Sequence, residues 1–285
     1  MAKPVVIGSR SFRTQSDALD HFRALLHRHQ DGQSVSDPTD HADLVALIER
    51  FDPVLEAVGE PPKGAGRIAH FERRLNTGTG WSTSGFWIVR QDGTETDFSY
   101  IDAVKGKPKG RSQDFYNACR QAVALDLVRA KKQAFAQYGD DLGRVECELT
   151  GRMVTINDAH LDHAWPYFSH IVSGFRAARG WSRDIPDGIV SAPADGQTTA
   201  TFVDSAVTEA FRAFHHDQAI LRILSREANL QTASSARQPK VARAVKLPPI
   251  RPANLPAGDG RISSSKPSPP ALFLPQRRRI DRQIE

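Results

Sequence analysis

Three side chains able to bind a metal or carry a proton stand within four residues, His160, Asp162 and His163, and His215, His216 and Asp217 follow about fifty residues later. Imidazole nitrogen and carboxylate oxygen are ligands for divalent cations, and an unliganded imidazole beside a bound cation can serve as a general base. Two such groups, each next to an element able to carry it, point to a site more firmly than either alone. A second reading stays open: His215 and His216 follow Phe214 on a helix, with one ring packed and the other solvated.

The elements that must position these groups can be read from periodicity. Thr14 with Asp17 resembles a capping box, and Ala18, Phe22, Leu25 and Leu26 then share one helical face. A second helix, capped by Asp40, carries Leu44, Leu47, Ile48 and Phe51 and stops at Gly59 and Pro61-Pro62. Lys63-Gly64-Ala65-Gly66 reads as a flexible connection rather than a phosphate cradle, and Arg67 to Phe71 and a Gly/Thr/Ser-rich stretch through Gly85 follow it. The β-rich runs 85–90 and 96–101 flank Asp92-Gly93 and form the clearest hairpin of the chain. A long helix spans 112–138, with Arg129, Lys131 and Lys132 as its solvated face. A short hairpin turning at Thr150-Gly151 precedes the His160 group, and a helix from about Asp204 to Arg226 carries His215.

Composition excludes a membrane-spanning or wholly disordered chain. Apolar residues make up 39%, charged residues 25%, and no stretch approaches the ~18 apolar residues of a transmembrane helix. Two cysteines are too few for a disulfide framework and no apolar leader opens the sequence, so a cytoplasmic protein is expected. The net charge of +5 is unevenly placed: residues 236–285 hold 11 Lys/Arg against 3 Asp/Glu, leaving 27 against 30 in the rest. Nine of the 18 prolines lie in the same basic stretch, which reads as a disordered tail.

The run Cys147-x-x-Thr150-Gly151, then Leu161-Asp162-His163-x-x-Pro166, then Leu221-Arg222-Ile223-Leu224-Ser225-Arg226-x-x-Asn229-Leu230 resembles an HNH endonuclease module, a ββα-metal fold. The resemblance implies a divalent metal, Mg2+ or Mn2+, on Asp162, with His163 as general base for phosphodiester hydrolysis. Asn229 matches a position that supports the site, and His160 and His216 are taken as further supporting residues. The sequence also departs from the family. Thr150, Ser225 and Ala228 stand where cysteines would complete a structural zinc site, so a four-cysteine zinc is not expected. Ile220 takes the place of the usual ligating Asn, and His215 is the candidate replacement.

Gly8-Ser9-Arg10-Ser11-Phe12, the two helices, and Phe86-Trp87-Ile88-Val89-Arg90 continuing to Asp97-Phe98-Ser99-Tyr100 are similar to the DCL domain over residues 5–108. That family carries no catalytic residues to transfer, and its associations imply nucleic acid, RNA-related. Trp81, Trp87 and Tyr100 are candidate stacking platforms, whereas Phe86 and Phe98 are expected in the core.

The fold class expected is therefore α+β, with a DCL-like two-helix and antiparallel-sheet domain over 1–110 and a linker helix over 111–142. An HNH-like ββα-metal domain over 143–235 and a disordered basic Pro-rich tail over 236–285 follow. The function expected is a nucleic-acid-binding protein with metal-dependent HNH-type endonuclease activity. The alternative is a non-catalytic binding or interaction protein with a vestigial HNH fold. DNA or RNA is the expected partner, contacted also by Arg277, Arg278 and Arg279, with no membrane and with the oligomeric state open.

Overall fold

Thr14 starts the first helix through a reciprocal capping box: its hydroxyl accepts from the Asp17 N–H at 3.1 Å while its own N–H donates to Asp17 Oδ2 at 3.0 Å. In the computed structural model, which describes residues 4–231 and 241–250, this helix is α1 (Gln15–Arg28), entered from the hairpin β1 (Val5–Ile7) and β2 (Arg10–Phe12). After the short β3 (Gln33–Ser34) comes α2 (Pro38–Glu56). Its cap is Asp37, whose carboxylate accepts from the Thr39 and Asp40 N–H groups at 2.8 and 2.9 Å, three residues before the expected Asp40. Pro38 explains the shift, because its fixed φ and missing N–H suit the first helical position. Asp40 is instead buried and paired with Arg28.

The Gly/Thr/Ser-rich stretch through Gly85 lies within the longest hairpin among the described residues. Strand β4 (Ile68–Gly78) pairs antiparallel with β5 (Trp81–Arg90), turning at Thr79-Gly80 with Gly80 at φ 77°. Its Thr and Ser residues are compatible with strands, and only one face needs to be apolar. The expected turn at Asp92-Gly93 leads from β5 to β6 (Glu95–Phe98), completing the sheet order β3-β4-β5-β6. Phe71, Phe86, Ile88 and Phe98 point to one face and pack on α1, α2 and α3 (Tyr100–Lys105), forming the first core. Phe86 and Phe98 are core residues, stacked at 5.9 Å between ring centres.

The 28-residue α4 (Arg111–Tyr138) is more than a linker, because it buries Phe115, Ala118, Cys119, Val123 and Ala134 in a second core. That core also takes β7 (Val145–Glu146), β8 (Met153–Val154), β9 (Ala159–His163), α5 (Phe168–Ala178) and α6 (Ser205–Gln218). Strand β10 (Leu221–Ser225) pairs antiparallel with β9, and α7 (Arg226–Gln231) follows directly, giving a ββα order. Among the described residues the fold is thus α+β, with seven helices, antiparallel sheets, and no helix long and apolar enough to cross a membrane. The two cores meet where buried Arg90 holds the Asp195 carboxylate at 2.8 and 3.3 Å.

One segment expected in the tail is packed instead. Val245 bridges Leu221 at the free edge of β10, and Val245 and Leu247 are buried in the second core. Glu148 accepts from the Ala242 and Arg243 N–H groups at 3.0 and 2.9 Å, while the Arg243 guanidinium reaches Glu146 at 3.0 Å. The alternation Arg243, Val245, Leu247 is a strand signal too short to stand out among prolines. Arg277, Arg278 and Arg279, with the rest of 251–285, lie outside the described residues.

Candidate functional site

Strand alternation decides what the His160 group can do. Successive side chains of β9 point to opposite faces. His160 and Asp162 therefore share one face with Arg222 and Leu224, their direct partners on β10, while Leu161 and His163 share the other with Ile223 and Leu221. The first face looks to α7 and the second into the core beside α6.

On the α7 face, Asp162 is 6% exposed and Arg222 is fully buried. Arg222 brings Nε and Nη2 each to 3.1 Å from Asp162 Oδ2. Asn229 donates to His160 Nδ1 at 2.8 Å. Burial first, then the nearby charges of Lys131 and Arg226, lower the His160 pKa, favouring the neutral ring.

On the core face, half-buried His163 is turned toward α6. Its Nε2 lies 2.8 Å from Nε2 of His215, with Phe168 against both rings. A hydrogen bond between the two requires one nitrogen to be without a proton. His215 has no exposed surface, and its Nδ1 has no hydrogen-bond partner among the described residues. Desolvation, followed by the neighbouring His163 and His216, pushes its pKa down to about 3. His216 is not solvated either: Nε2 meets Asp126 at 3.1 Å and Nδ1 meets the Pro248 carbonyl at 2.7 Å, so it ties 241–250 to α4 rather than supporting the histidine pair. Asp126 is also held by Arg212 through two bonds of 2.9 Å.

Asp162 and His215 therefore lie on opposite faces of β9, the first directed at a guanidinium and the second at an imidazole. This donor set does not fit a divalent cation held jointly by those two residues. Among the described residues no group of three or more His, Cys, Asp and Glu side chains gathers around a point that could hold a metal ion.

Cys147, Ser225 and Ala228, three of the four positions expected to correspond to zinc-binding cysteines, meet at one corner beside α7, and Thr150 is hydrogen-bonded to Cys147. Cys147 Sγ accepts from the Ser225 N–H at 3.2 Å, and Ser225 Oγ accepts from the Ala228 N–H at 3.1 Å. Cys147, Leu224 and Ala228 form a small apolar cluster with Leu149. Burial raises the Cys147 pKa, but hydrogen bonds from Thr150, Ser225 and Leu149 outweigh it and lower the thiol overall.

The α7 and core faces of β9 both border a larger feature. A cleft of about 710 Å3 runs between the tip of the β4–β5 hairpin, one face of α4, and β9 with Asn229. From α4 it is lined by Tyr116, Arg120, Ala124, Leu127 and Lys131, spaced by three or four residues as one stripe. Lys131 is not part of the solvated face: its Nζ donates to the Ala159 carbonyl at 2.6 Å, and burial lowers its pKa. Its spacing from Ala124 and Leu127 is the sequence signal for this. Arg120 is exposed. The hairpin contributes Trp81, whose indole lies so close to Gly78 that a Cβ there would sit 2.4 Å from the ring. The other two aromatic candidates are engaged elsewhere. Arg74 covers Trp87 at 4.9 Å and Asn76 accepts its N–H at 2.8 Å, while Tyr100 packs edge-on against Phe86.

Residues 23–104, from within α1 to α3, match the model of a family described as protein of unknown function (DUF3223). Among curated proteins none matches the chain. The solution NMR structure of an uncharacterized protein from Rhodospirillum rubrum is similar at 32% identity, over 36% of this chain and 89% of that one, with a TM-score of 0.30.

Proposed function

We propose that the protein binds nucleic acid in the cleft between the β4–β5 hairpin, α4 and β9, and does so without metal-dependent cleavage. The observation that carries this reading is the composition of the cleft wall. Arg120 and Lys131 supply positive charge, Trp81 and Tyr116 supply ring faces, and the carboxylate of Asp162 is already compensated by Arg222. Cationic groups beside aromatic faces suit a polyanion whose bases can stack. In this reading residues 5–108 are a DCL-like domain and 143–235 an HNH-like module in which Arg222 replaces the metal. The tail with Arg277, Arg278 and Arg279 adds phosphate contacts, and the protein acts in the cytoplasm.

Gel-shift titrations of the full chain with DNA and RNA, at two salt concentrations and with Mg2+ or Mn2+ present, test the reading. Salt-sensitive binding with the nucleic acid left intact is expected, and Arg277→Ala/Arg278→Ala/Arg279→Ala should weaken it without abolishing it. No binding at low salt overturns the reading. Metal-dependent cleavage that His163→Ala removes would restore the endonuclease reading in its place.

A further inference from the structure

We infer that the cleft selects unpaired nucleotides, with one base laid on Trp81 and non-consecutive phosphates of the strand on Arg120 and Lys131. The inference rests on the binding function proposed above and names its ligand. A duplex turns its phosphates outward and keeps its base faces stacked inward, so it could reach the two cations but could not offer a base to an indole. A single strand presents both. The cleft volume of about 710 Å3 belongs to the ~300–1,000 Å3 class of pockets that enclose small molecules, which suits a short stretch of splayed strand.

The positions of the three groups agree. Arg120 and Lys131 stand eleven residues apart on one stripe of α4, about 16 Å along the helix axis at ~1.5 Å per residue. Between them the hairpin tip approaches α4, where a Cβ on Gly80 would lie 3.0 Å from Val128. This brings Trp81 to the same wall. The close approach of Gly78 backs the Trp81 ring with backbone, so the indole is positioned before a base arrives. Asn76, Asn117 and Asn229 border the same space; one atom of each amide is held by Trp87, Gln113 and His160 respectively, which leaves the other amide atom of each for a base edge.

Fluorescence anisotropy of the full chain with labelled ten-nucleotide oligo-uridine, oligo-thymidine and a ten-base-pair blunt duplex separates the possibilities. The single strands should bind more tightly than the duplex, and Trp81→Ala should weaken them by about 5- to 150-fold, the range for losing one stacked base, with duplex affinity unchanged. Trp81→Phe should retain most of the affinity. Arg120→Glu, at an exposed position, should weaken the single strands by at least as much, so the test does not depend on the hairpin tolerating Trp81→Ala. Equal binding of duplex and single strand, or single-strand binding unchanged in both Trp81→Ala and Arg120→Glu, overturns this inference and leaves the binding function standing. Failure of every oligonucleotide to bind at low salt overturns both.

Discussion

His215 should make the fold sensitive to mild acid, by an amount that follows from its surroundings. The ring is fully buried among Phe168, Phe211 and His163, and its pKa falls from 6.5 to about 3 because the charged form loses its hydration and meets two further imidazoles. Below pH 6.5 the unfolded chain takes up a proton at this position while the folded chain does not. A lowered folded pKa on a base therefore contributes stability that is complete above about pH 6.5 and is lost as pH falls toward 3. With ~1.4 kcal/mol for each pH unit of differential protonation, the loss from this one group at pH 5 is about 2 kcal/mol.

Other groups titrate over the same range, so the measurement is a difference. Urea denaturation of the parent chain and of His215→Gln at pH 7.5 and pH 5.0 gives four free energies. Gln can keep a hydrogen bond to His163 but cannot take up the proton, so the parent should lose about 2 kcal/mol more than the variant on acidification. A gap between the two proteins that stays constant within about 0.5 kcal/mol would refute the burial argument for His215.

Arg222→Met leaves the Asp162 carboxylate buried without its cation and should destabilise by about 3–5 kcal/mol. Asp162→Leu/Arg222→Met should recover most of that, and an equal cost for single and double variants would show that the pair is not coupled. Leu247→Ala should cost about 2–5 kcal/mol in the same denaturation assay if 241–250 is part of the second core, whereas a cost near zero would return the segment to the tail. Thr150→Cys/Ser225→Cys/Ala228→Cys, with the native Cys147, should retain one zinc per chain after dialysis, measured by atomic absorption. Retention of none would mean that the four positions do not converge closely enough for ~2.3 Å zinc–sulfur bonds.

Local rules found the elements whose signals are local. The Thr14–Asp17 box, the helical face from Ala18 to Leu26 and the Asp92-Gly93 turn each depend on residues a few positions apart. The hairpin β4–β5 was hidden because Thr, Ser and Gly mark loops by composition, although they also fit the outer face of a sheet. The segment 241–250 was hidden because its partner edge on β10 is distant in sequence and its two buried residues are flanked by charge and proline. The site was legible as residue types but not as pairings. Asp162 meets Arg222 only because β9 and β10 align in that register, and His163 meets His215 only because α6 packs against the opposite face. A shift of one residue would have exchanged the partners.

The pairing of Asp162 with Arg222 bears directly on the proposed binding of a polyanion in the cleft. An unpaired carboxylate on this wall would repel a polyanion unless a cation covered it. A guanidinium is charged at every accessible pH and cannot dissociate as a metal ion can, so the repulsion is removed permanently and without a cofactor. Arg120 and Lys131 then set the sign of the cleft within a folded body whose sequence is mildly acidic. The corner at Cys147 is likewise held by side chains, through hydrogen bonds to Sγ and the packing of Leu224 and Ala228. The consequence for chemistry is specific. If the proposed binding in the cleft holds, removing bound divalent ions with a chelator should leave nucleic-acid affinity unchanged, whereas raising the salt concentration should lower it, because the proposed attraction resides in side chains.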